Sequence, residues 1–444
     1  MKRNAEAQLK KWIISKDRKP LIVRGARQVG KSYLIRQFAK NEKYKLIEIN
    51  LEKSKFKTVE AENFNIKDWI NEIEIISNQK INQKTIIFID EIQNQPEAIS
   101  KLRYIYEEKN EIPVICAGSL LELSLTEQKI SFPVGRVEYL FLSPMTFTEY
   151  LQGLGKDQLA ENVLNNNAPE FAHELLQQEV KKFFYIGGMP EAIQTYVNTN
   201  SFIDVRKVQQ DILTSYMLDF PKYEKKGKLE KLTQIFQKIP FHLGKKIIYQ
   251  HIEREMKSVE IKKYLEMLRL AHVLIPCYHV NATQLPIAAT IDHSVLKYYF
   301  LDIGLLNAIH KISWDDFNDL FNSSFATKGF LAEQFISQHI AYSLDQSIQP
   351  ENYFWLKDKD IAKAEIDFIW AHNKKILPIE VKAAKGNRLK SLEVFGKEKK
   401  IDLAIKFSSE YFYDDKVKLS DDKYLPVKNW PYYAVEGFLN QYKI

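Results

Sequence analysis

The chain has 444 residues, of which 45% are hydrophobic and 27% charged, and its formal net charge is +7. A single hydrophobic core rarely grows this large, so we expect two to four domains. The longest apolar runs fall far short of a membrane span, and no signal-peptide pattern opens the chain, so we expect a cytoplasmic protein with no membrane contact. The mild positive charge permits binding to nucleic acid but does not require it.

Short runs rich in β-branched residues alternate with helical patterns through the first part of the chain. The runs lie at 21–25, 45–50, 85–90 and 113–119, and the clearest helical patterns between them cover 31–40 and 96–108. Such alternation predicts an α/β fold in which helices cover both faces of a parallel sheet. We assign this part to residues 1–155.

The strand patterns stop after residue 155, where helices are predicted at 168–188 and 201–220 with an Asn-rich loop at 161–170. We assign this helical lid to residues 156–225. The next part, 226–295, contains several short helices, including one in which Ile261, Leu265 and Leu268 share a face. A hairpin of 273–280 with 285–290 follows, and helices followed by such a hairpin are typical of a winged-helix domain.

The last part, 296–444, returns to an α/β pattern. A helix is predicted at 329–343, and strands are predicted near 353–357, 365–371 and 376–382. The predicted fold class is therefore α/β, with a parallel sheet, a helical lid, a winged-helix domain and a small α/β domain at the end.

The segment GARQVGKS at 25–32 fits the pattern G-x-x-x-x-G-K-[ST], and it follows a predicted strand and opens a predicted helix. Glycines let such a backbone approach phosphates, while the lysine reaches the β- and γ-phosphates and the serine hydroxyl ligates Mg²⁺. The predicted ATP-binding residues are Gly25, Ala26, Arg27, Gln28, Val29, Gly30, Lys31, Ser32 and Tyr33.

An apolar strand, TIIFIDEIQ at 85–93, ends in two acids. Asp90 is expected to hold the Mg²⁺ together with Ser32, and Glu91 is expected to act as the general base toward the attacking water. These roles for two acids require a nucleotide bound nearby, which the phosphate-binding loop would supply. The two motifs together predict ATP hydrolysis.

Two further positions have alternative interpretations. Ser119 ends the next predicted strand, where it either senses the γ-phosphate or is an ordinary strand terminus. Arg136 either acts as an arginine finger, within one chain or across a subunit interface, or forms a structural salt bridge. The finger acting between chains would require a homo-oligomer.

The segments RGARQVGKS, FIDEIQ, CAGSLLE and FPVGRVEYLFLSPMTFTEYL together resemble a prokaryotic family of AAA-like P-loop ATPases with a C-terminal domain of unknown function. FFYIGGMPEAI, KYYFLDIGLL and EIDFIWAHNKKILPIEVKAA also match, so the resemblance covers about residues 10–400. It implies that the two motifs described above are the Walker A and Walker B motifs of an ATPase.

GGMP at 187–190 is similar to the GxP turn of STAND-type ATPases. This resemblance implies that Gly188 and Pro190 contact the adenine. The alternative interpretation is a turn that simply ends a helix.

The C-terminal part carries a second group of polar residues. Glu380 and Lys382 are two apart in a predicted strand and share a face, Asp367 lies on the neighbouring strand, and Glu333 lies on the preceding helix. This pattern resembles the PD-(D/E)xK nuclease fold. In such a site Asp367, Glu380 and Glu333 would hold Mg²⁺ or Mn²⁺, and Lys382 would orient the hydrolytic water.

Basic residues close to this group would bind a phosphodiester backbone, namely Lys385, Arg388 and Lys390. The sequence therefore predicts an ATP-binding and ATP-hydrolysing switch that acts on nucleic acid such as DNA, with regulated cleavage as its extended form. The alternative is a nucleotide-controlled module whose inert nuclease-like domain docks a protein partner. The predicted winged helix has the same two interpretations, DNA contact or a spacer.

Overall fold

The computed structural model describes residues 1–118, 133–222, 228–323, 325–343, 346–357, 364–383 and 389–443. The strands are β1 (Leu21–Arg24), β2 (Lys45–Asn50), β3 (Thr85–Asp90), β4 (Val114–Ala117), β5 (Glu138–Phe141), β6 (Leu274–Val280), β7 (Ile291–Phe300), β8 (Asn352–Lys357), β9 (Ala364–Ile366), β10 (Phe368–His372), β11 (Lys375–Val381), β12 (Ala404–Ser408), β13 (Tyr413–Ser420) and β14 (Lys423–Pro431).

The first group of helices comprises α1 (Glu6–Ile14), α2 (Lys31–Asn41), α3 (Ile66–Ser77), α4 (Glu97–Glu108), α5 (Phe147–Gly153), α6 (Asp157–Leu164), α7 (His173–Ile186), α8 (Pro190–Thr199) and α9 (Phe202–Asp219). The second group comprises α10 (Leu229–Lys238), α11 (Tyr249–Ile252), α12 (Ser258–Leu270), α13 (Ile303–Ile309), α14 (Trp314–Ser323), α15 (Phe325–Tyr342), α16 (Lys390–Glu398) and α17 (Val435–Gln441). No helix among the described residues is long and apolar enough to cross a bilayer.

The first sheet has the strand order β2-β3-β4-β1-β5, and all its pairs are parallel, which confirms the predicted α/β fold. All six residues of β3 are buried, as expected for a strand covered on both faces. Alternate residues point to opposite faces: Ile87 and Ile89 join one hydrophobic cluster, while Ile86 and Phe88 join the other.

This strand order determines where the polar motifs lie. Parallel strands end at the same edge of a sheet, and only β4 separates β1 from β3. The loop after β1 and the acids that end β3 therefore lie at one edge, close enough to share a ligand.

The helical part after α5 differs from the prediction at one point. Helix α6 occupies the first half of the predicted loop at 161–170, because Ala160 and Val163 form a buried face at helical spacing. The asparagines follow the helix, and Asn166 adopts a positive φ of 57°. Helices α7 and α9 agree with the predicted helices.

The predicted hairpin of 273–280 with 285–290 is wrong in its second strand. Residues 287–290 form a short 3-10 helix, and β6 pairs antiparallel with β7 instead. On its other side β6 pairs parallel with β8, giving a sheet of order β7-β6-β8-β9. Since β6 is buried along nearly its whole length, it needs partners on both edges and is not part of an isolated wing. The domain boundary proposed at residue 295 falls inside β7.

The third sheet has the order β10-β11-β12-β14-β13, with a parallel centre and antiparallel edges. The predicted strand at 365–371 is divided at Asp367, where the chain leaves β9 in one sheet and enters β10 in the other. Helix α15 contacts both β7 and β11, so it joins the two sheets.

Candidate functional site

The loop of residues 25–30 connects β1 to α2 and is shaped by its glycines. Gly25 has a φ of +135°, and a Cβ built there would lie 2.1 Å from the carbonyl oxygen of Leu142, so no larger residue fits. Gly30 has a φ of +91° immediately before α2. The loop therefore curls tightly around the N-terminus of α2, where backbone N–H groups attract anions.

Lys31 lies inside this curl. Its ammonium donates hydrogen bonds to the carbonyl oxygens of Gly25 (2.9 Å) and Ala26 (2.7 Å), and the side chain is buried. A phosphate held by the loop would replace these carbonyl contacts with stronger charge-assisted ones. The role of Lys31 in phosphate binding stays a prediction.

Ser32 and Asp90 meet across the sheet edge. The hydroxyl of Ser32 donates to Oδ2 of Asp90 at 2.7 Å, and burial raises the pKa of the Asp90 carboxyl. Two oxygens at this distance, one of them a carboxylate oxygen desolvated by burial, fit a Mg²⁺ ion that accompanies the nucleotide.

Glu91 is held by a side chain that the sequence analysis did not single out. Its backbone has a positive φ of 53°, and Nε2 of Gln93 donates to its Oε2. An amide two residues beyond the acid pair was the only available signal. The contact engages one of the two carboxylate oxygens of Glu91, the group that would accept a proton from water.

The turn at 187–190 reaches the phosphate-binding loop. A Cβ built on Gly30 would lie 3.6 Å from Cγ of Pro190, which starts α8. Gly188 accepts a hydrogen bond from the backbone N–H of Met145 (2.6 Å) and donates its own to Asp302 (2.5 Å). The adenine contact of Gly188 and Pro190 stays a prediction, now with the turn located beside the loop.

Other contacts to the loop come from distant parts of the chain. Arg27 forms a salt bridge with Asp219, and the hydroxyl of Tyr216 donates to the carbonyl oxygen of Arg27 at 2.8 Å. The guanidinium of Arg3 donates to the carbonyl oxygen of Val29 at 2.9 Å. No sequence motif marks these residues, because the contacts exist only after α1 and α9 have packed against the sheet.

Arg136 forms a salt bridge with Glu107 at 2.7 Å, which is the structural alternative considered for it. It precedes β5 at the amino ends of the parallel strands, whereas the phosphate-binding loop follows the carboxyl end of β1. Arg136 and the loop therefore lie at opposite ends of the sheet within one chain, and a role across a subunit interface stays a prediction. Ser119 lies outside the described residues, as do Lys385 and Arg388.

The second group of predicted residues comes together between the other two sheets. Lys382 donates to Oε2 of Glu380 at 2.5 Å, and Asp367 accepts the backbone N–H of Val381 at 2.7 Å through Oδ2. Glu333 lies on α15, and its carboxyl group interacts electrostatically with the negative charge of Asp367 and the positive charge of Lys382. We call these residues, together with Glu365 and Lys297, the acidic cluster.

Two carboxyl groups of the acidic cluster, those of Glu380 and Glu333, have raised pKa values. Burial and the negative charge of Asp367 together raise the pKa of Glu380 to about 8, against the lowering effect of Lys382. Burial also raises the pKa of Glu333 to about 7, against the lowering effect of Lys297. Buried acids with raised pKa values occur at functional sites because they gain stability when a cation or substrate arrives.

Lys297 and Tyr299 were missed by the sequence analysis. They are two apart on β7 and therefore share a face, on which Lys297 forms a salt bridge with Glu365 and Tyr299 donates to Glu333. Both side chains are fully buried. The available signal was a lysine inside the apolar strand run VLKYYF.

One atom of the acidic cluster indicates a fit for a cation. Oε1 of Glu380 is buried and has no hydrogen-bond partner among the described residues. Among all the residues that the structure describes, no three His, Cys, Asp or Glu side chains lie close enough together to hold a metal ion on their own. A cation here would keep water or phosphate oxygens as further ligands, which is common for Mg²⁺.

Three family models match successive parts of the chain. An AAA domain matches residues 17–151, and two domains of unknown function, DUF8612 and DUF4143, match residues 177–316 and 328–430. The AAA match covers the first sheet, the phosphate-binding loop and the Walker B strand. The protein therefore carries an AAA-like P-loop ATPase domain, the class that binds and hydrolyses ATP.

Solved structures with a related arrangement include a Walker-type ATPase of Pyrococcus abyssi, with 14% identity, a TM-score of 0.44 and coverage of 70% of this chain and 95% of that one. The Thermotoga maritima RuvB Holliday junction branch migration motor matches with 14% identity, a TM-score of 0.29 and coverage of 61% and 88%. The Aeropyrum pernix ORC2 protein matches with 12% identity, a TM-score of 0.35 and coverage of 72% and 94%. No curated protein sequence matches the chain significantly. At these TM-scores we draw nothing further from the likeness.

Proposed function

We propose that the protein is an ATP-driven switch that acts on nucleic acid, and that the acidic cluster is a metal-dependent nuclease site under its control. The observation that carries this proposal is the unpartnered Oε1 of Glu380, buried beside Asp367 and Lys382. A buried carboxylate oxygen with no partner costs free energy unless a ligand completes it.

In the ATPase half, Lys31 binds the β- and γ-phosphates in place of its present carbonyl partners. Ser32 and Asp90 hold Mg²⁺, which supplies positive charge to the phosphates. Once its hydrogen bond with Gln93 has opened, Glu91 accepts a proton from the attacking water. The water oxygen forms a bond to the γ-phosphorus, and the bond between that phosphorus and the β–γ bridging oxygen breaks. The products are ADP and phosphate.

In the acidic cluster, Asp367 and Glu380 hold Mg²⁺ or Mn²⁺, which supplies positive charge beside the scissile phosphate. The side chain of Lys382 is one-quarter exposed, and its ammonium orients the hydrolytic water toward phosphorus. The water forms a new P–O bond while the bond from phosphorus to the leaving sugar oxygen breaks, and the proton that the water releases passes through solvent to the leaving oxygen. Lys390, at the start of α16, is available to bind the backbone of the nucleic acid.

A chain of contacts supports control of one site by the other. Asp302 binds the amide of Gly188 in the turn beside the phosphate-binding loop. Phe300 lies two residues before Asp302. Its backbone N–H donates to the side-chain oxygen of Gln334 on α15, and its carbonyl oxygen accepts from the side-chain nitrogen of the same residue. Gln334 is next to Glu333, so movement of the turn on ATP binding would reach the acidic cluster through one helix.

A role of the predicted winged helix in DNA contact has limited support. Lys262 and Lys263 of α12 are exposed, but Arg269 pairs with Glu266 and Glu260 pairs with Lys231. One of the three basic side chains of α12, Arg269, is therefore compensated on the helix itself, and Glu260 and Glu266 carry the sign that a DNA-reading helix avoids.

The proposal is tested by DNA cleavage in Mg²⁺ or Mn²⁺, with and without ATP, on linear duplex, single-stranded and branched DNA. We expect cleavage by the wild type and none by Asp367→Ala or Lys382→Ala. Lys375→Ala is a matched control, because Lys375 is an exposed lysine on the same strand, β11. Cleavage that survives both cluster variants would refute the assignment.

The alternative function is a nucleotide-controlled docking module. An apolar hollow of about 620 Å³ beside β10 favours it, lined among others by Tyr353, Phe368 and Trp370. Intact ATP turnover without cleavage of any DNA, and without stimulation of turnover by DNA, would support this function over the first.

A further inference from the structure

The acidic cluster consists of two halves whose charges are balanced in different ways. One half contains Glu333 and Glu365 with Lys297, and the other contains Asp367 and Glu380 with Lys382. The sequence analysis placed Glu333 among the metal ligands together with Asp367 and Glu380. The contacts of the two halves point to a different division of roles.

The half around Lys297 is internally complete. The ammonium of Lys297 contacts Glu365, lies 3.8 Å from Glu333, and faces the ring of Phe354 with its nitrogen 4.7 Å from the ring centre. Glu333 also accepts the hydroxyl of Tyr299. Since Lys297 is fully buried, its charge requires these carboxylates, and the carboxylates in turn are committed to it.

The half around Glu380 is incomplete. Lys382 reaches only Oε2 of Glu380, whereas Oε1 is buried without a partner among the described residues. Lys382 is also partly exposed, so its ammonium can turn toward solvent when another cation arrives. The open coordination position of the acidic cluster therefore lies at Glu380 and Asp367.

We infer that the acidic cluster binds a single divalent cation, on Asp367 and Glu380, and that Lys297 supplies the positive charge that a second cation would otherwise bring to Glu333 and Glu365. This inference rests on the proposed function, since it specifies the metal site of that nuclease. It makes Glu333 a partner of Lys297 and a positioning residue, and not a metal ligand.

The test is a Mn²⁺ titration of the full-length protein without nucleotide, in which free Mn²⁺ is measured by electron paramagnetic resonance. We expect the wild type to bind one Mn²⁺ that Asp367→Asn and Glu380→Gln both lose. Glu333→Gln should retain this ion with an affinity within about threefold of the wild type. The Lys31→Ala variant serves as background for any Mn²⁺ at the phosphate-binding loop.

Lys297→Met should bind a second Mn²⁺ on the freed carboxylates, and Lys297→Met combined with Glu333→Gln should lose it again. The double variant removes one buried charge of each sign, so it keeps the charge balance if the single variant unfolds. Lys297→Arg should behave like the wild type, with one ion.

Loss of the bound Mn²⁺ in Glu333→Gln would overturn the inference and leave the proposed nuclease site intact. Binding of only one Mn²⁺ by a folded Lys297→Met variant would have the same meaning. The absence of any Mn²⁺ that Asp367→Asn removes would overturn both the inference and the proposed site. One bound ion with the expected variants but no DNA cleavage would support the inference and refute the nuclease function.

Discussion

Replacement of Asp302 by asparagine should alter how stability depends on pH, in a direction that the structure determines. The carboxyl group of Asp302 is fully buried, and burial raises its pKa from the ordinary 3.8 to about 6. When the pKa of a carboxyl group is higher in the folded state than in the unfolded state, the group stabilises the fold at a pH below its unfolded-state pKa. This contribution is lost as the pH rises through the folded-state pKa. The difference between the two pKa values corresponds to about 3 kcal/mol, lost between about pH 4 and pH 7.

Asparagine has nearly the same shape and does not titrate. The amides of Gly188 and Leu305 donate to different oxygens of Asp302, so asparagine keeps an acceptor for only one of them, a loss that does not depend on pH. The stability of Asp302→Asn relative to the wild type should therefore rise by about 3 kcal/mol from pH 4 to pH 7. For a chain of this length that unfolds as one unit, this corresponds to about 3 °C in Tm.

The assay is thermal unfolding of both proteins across this pH range, read as the difference in Tm so that groups common to both proteins cancel. Asp204→Asn, followed also below pH 4, is a control of opposite sign. A hydrogen bond from Lys207 lowers the pKa of the exposed Asp204, so its stabilising contribution is lost as pH falls below the ordinary 3.8. A Tm difference for Asp302→Asn that is constant with pH, or that falls as pH rises, would refute the raised pKa that follows from burial of Asp302.

The remaining predictions concern the ATPase site. Lys31→Ala should abolish ATP binding measured by calorimetry, and an ATP affinity equal to that of the wild type would refute the assignment of the phosphate-binding loop. Glu91→Gln should bind ATP but lower kcat by at least about 100-fold, because the proton acceptor is lost. Gln93→Ala should raise kcat by up to about tenfold at unchanged ATP affinity, since one hydrogen bond no longer restrains Glu91. Arg136→Ala should lower turnover if the residue acts between subunits, whereas Glu107→Ala breaks the same salt bridge and should not; equal effects of the two would exclude the finger.

The parts of the site that lie close together in the chain could be predicted from the sequence. The loop at 25–32 and the acids at 90–91 follow strands whose apolar pattern is unmistakable, and the parallel fold brings both to one edge. Glu380 and Lys382 could be paired because strand periodicity places alternate residues on one face. In each case local geometry determines the arrangement.

The parts that depend on distant contacts could not be predicted. Lys297 meets Glu365 across 68 residues, and Asp302 meets Gly188 across 114. The second strand of the predicted hairpin was misplaced because 285–290 is apolar, while the true strand β7 begins with the polar residues Asp292, His293 and Ser294. Pairing along that strand is decided by the sheet it joins and not by its own pattern.

The joint between the ATPase domain and the C-terminal part is held by buried hydrogen bonds from α5 to α15 and α17. We therefore expect these helices to stay together when ATP binds. Glu436 on α17 accepts both the backbone N–H (2.8 Å) and the hydroxyl (2.6 Å) of Thr148 on α5. His339 on α15 accepts the backbone N–H of Phe147 at 2.9 Å, and burial lowers its pKa to about 4, which keeps the ring neutral and able to accept.

Separating these helices would leave three donors without partners, at about 1–3 kcal/mol each. The turn at Gly188 lies beside the phosphate-binding loop and donates one hydrogen bond to Asp302. In the proposed switch, a joint held at α5 would direct the nucleotide signal through this contact and α15, toward the acidic cluster.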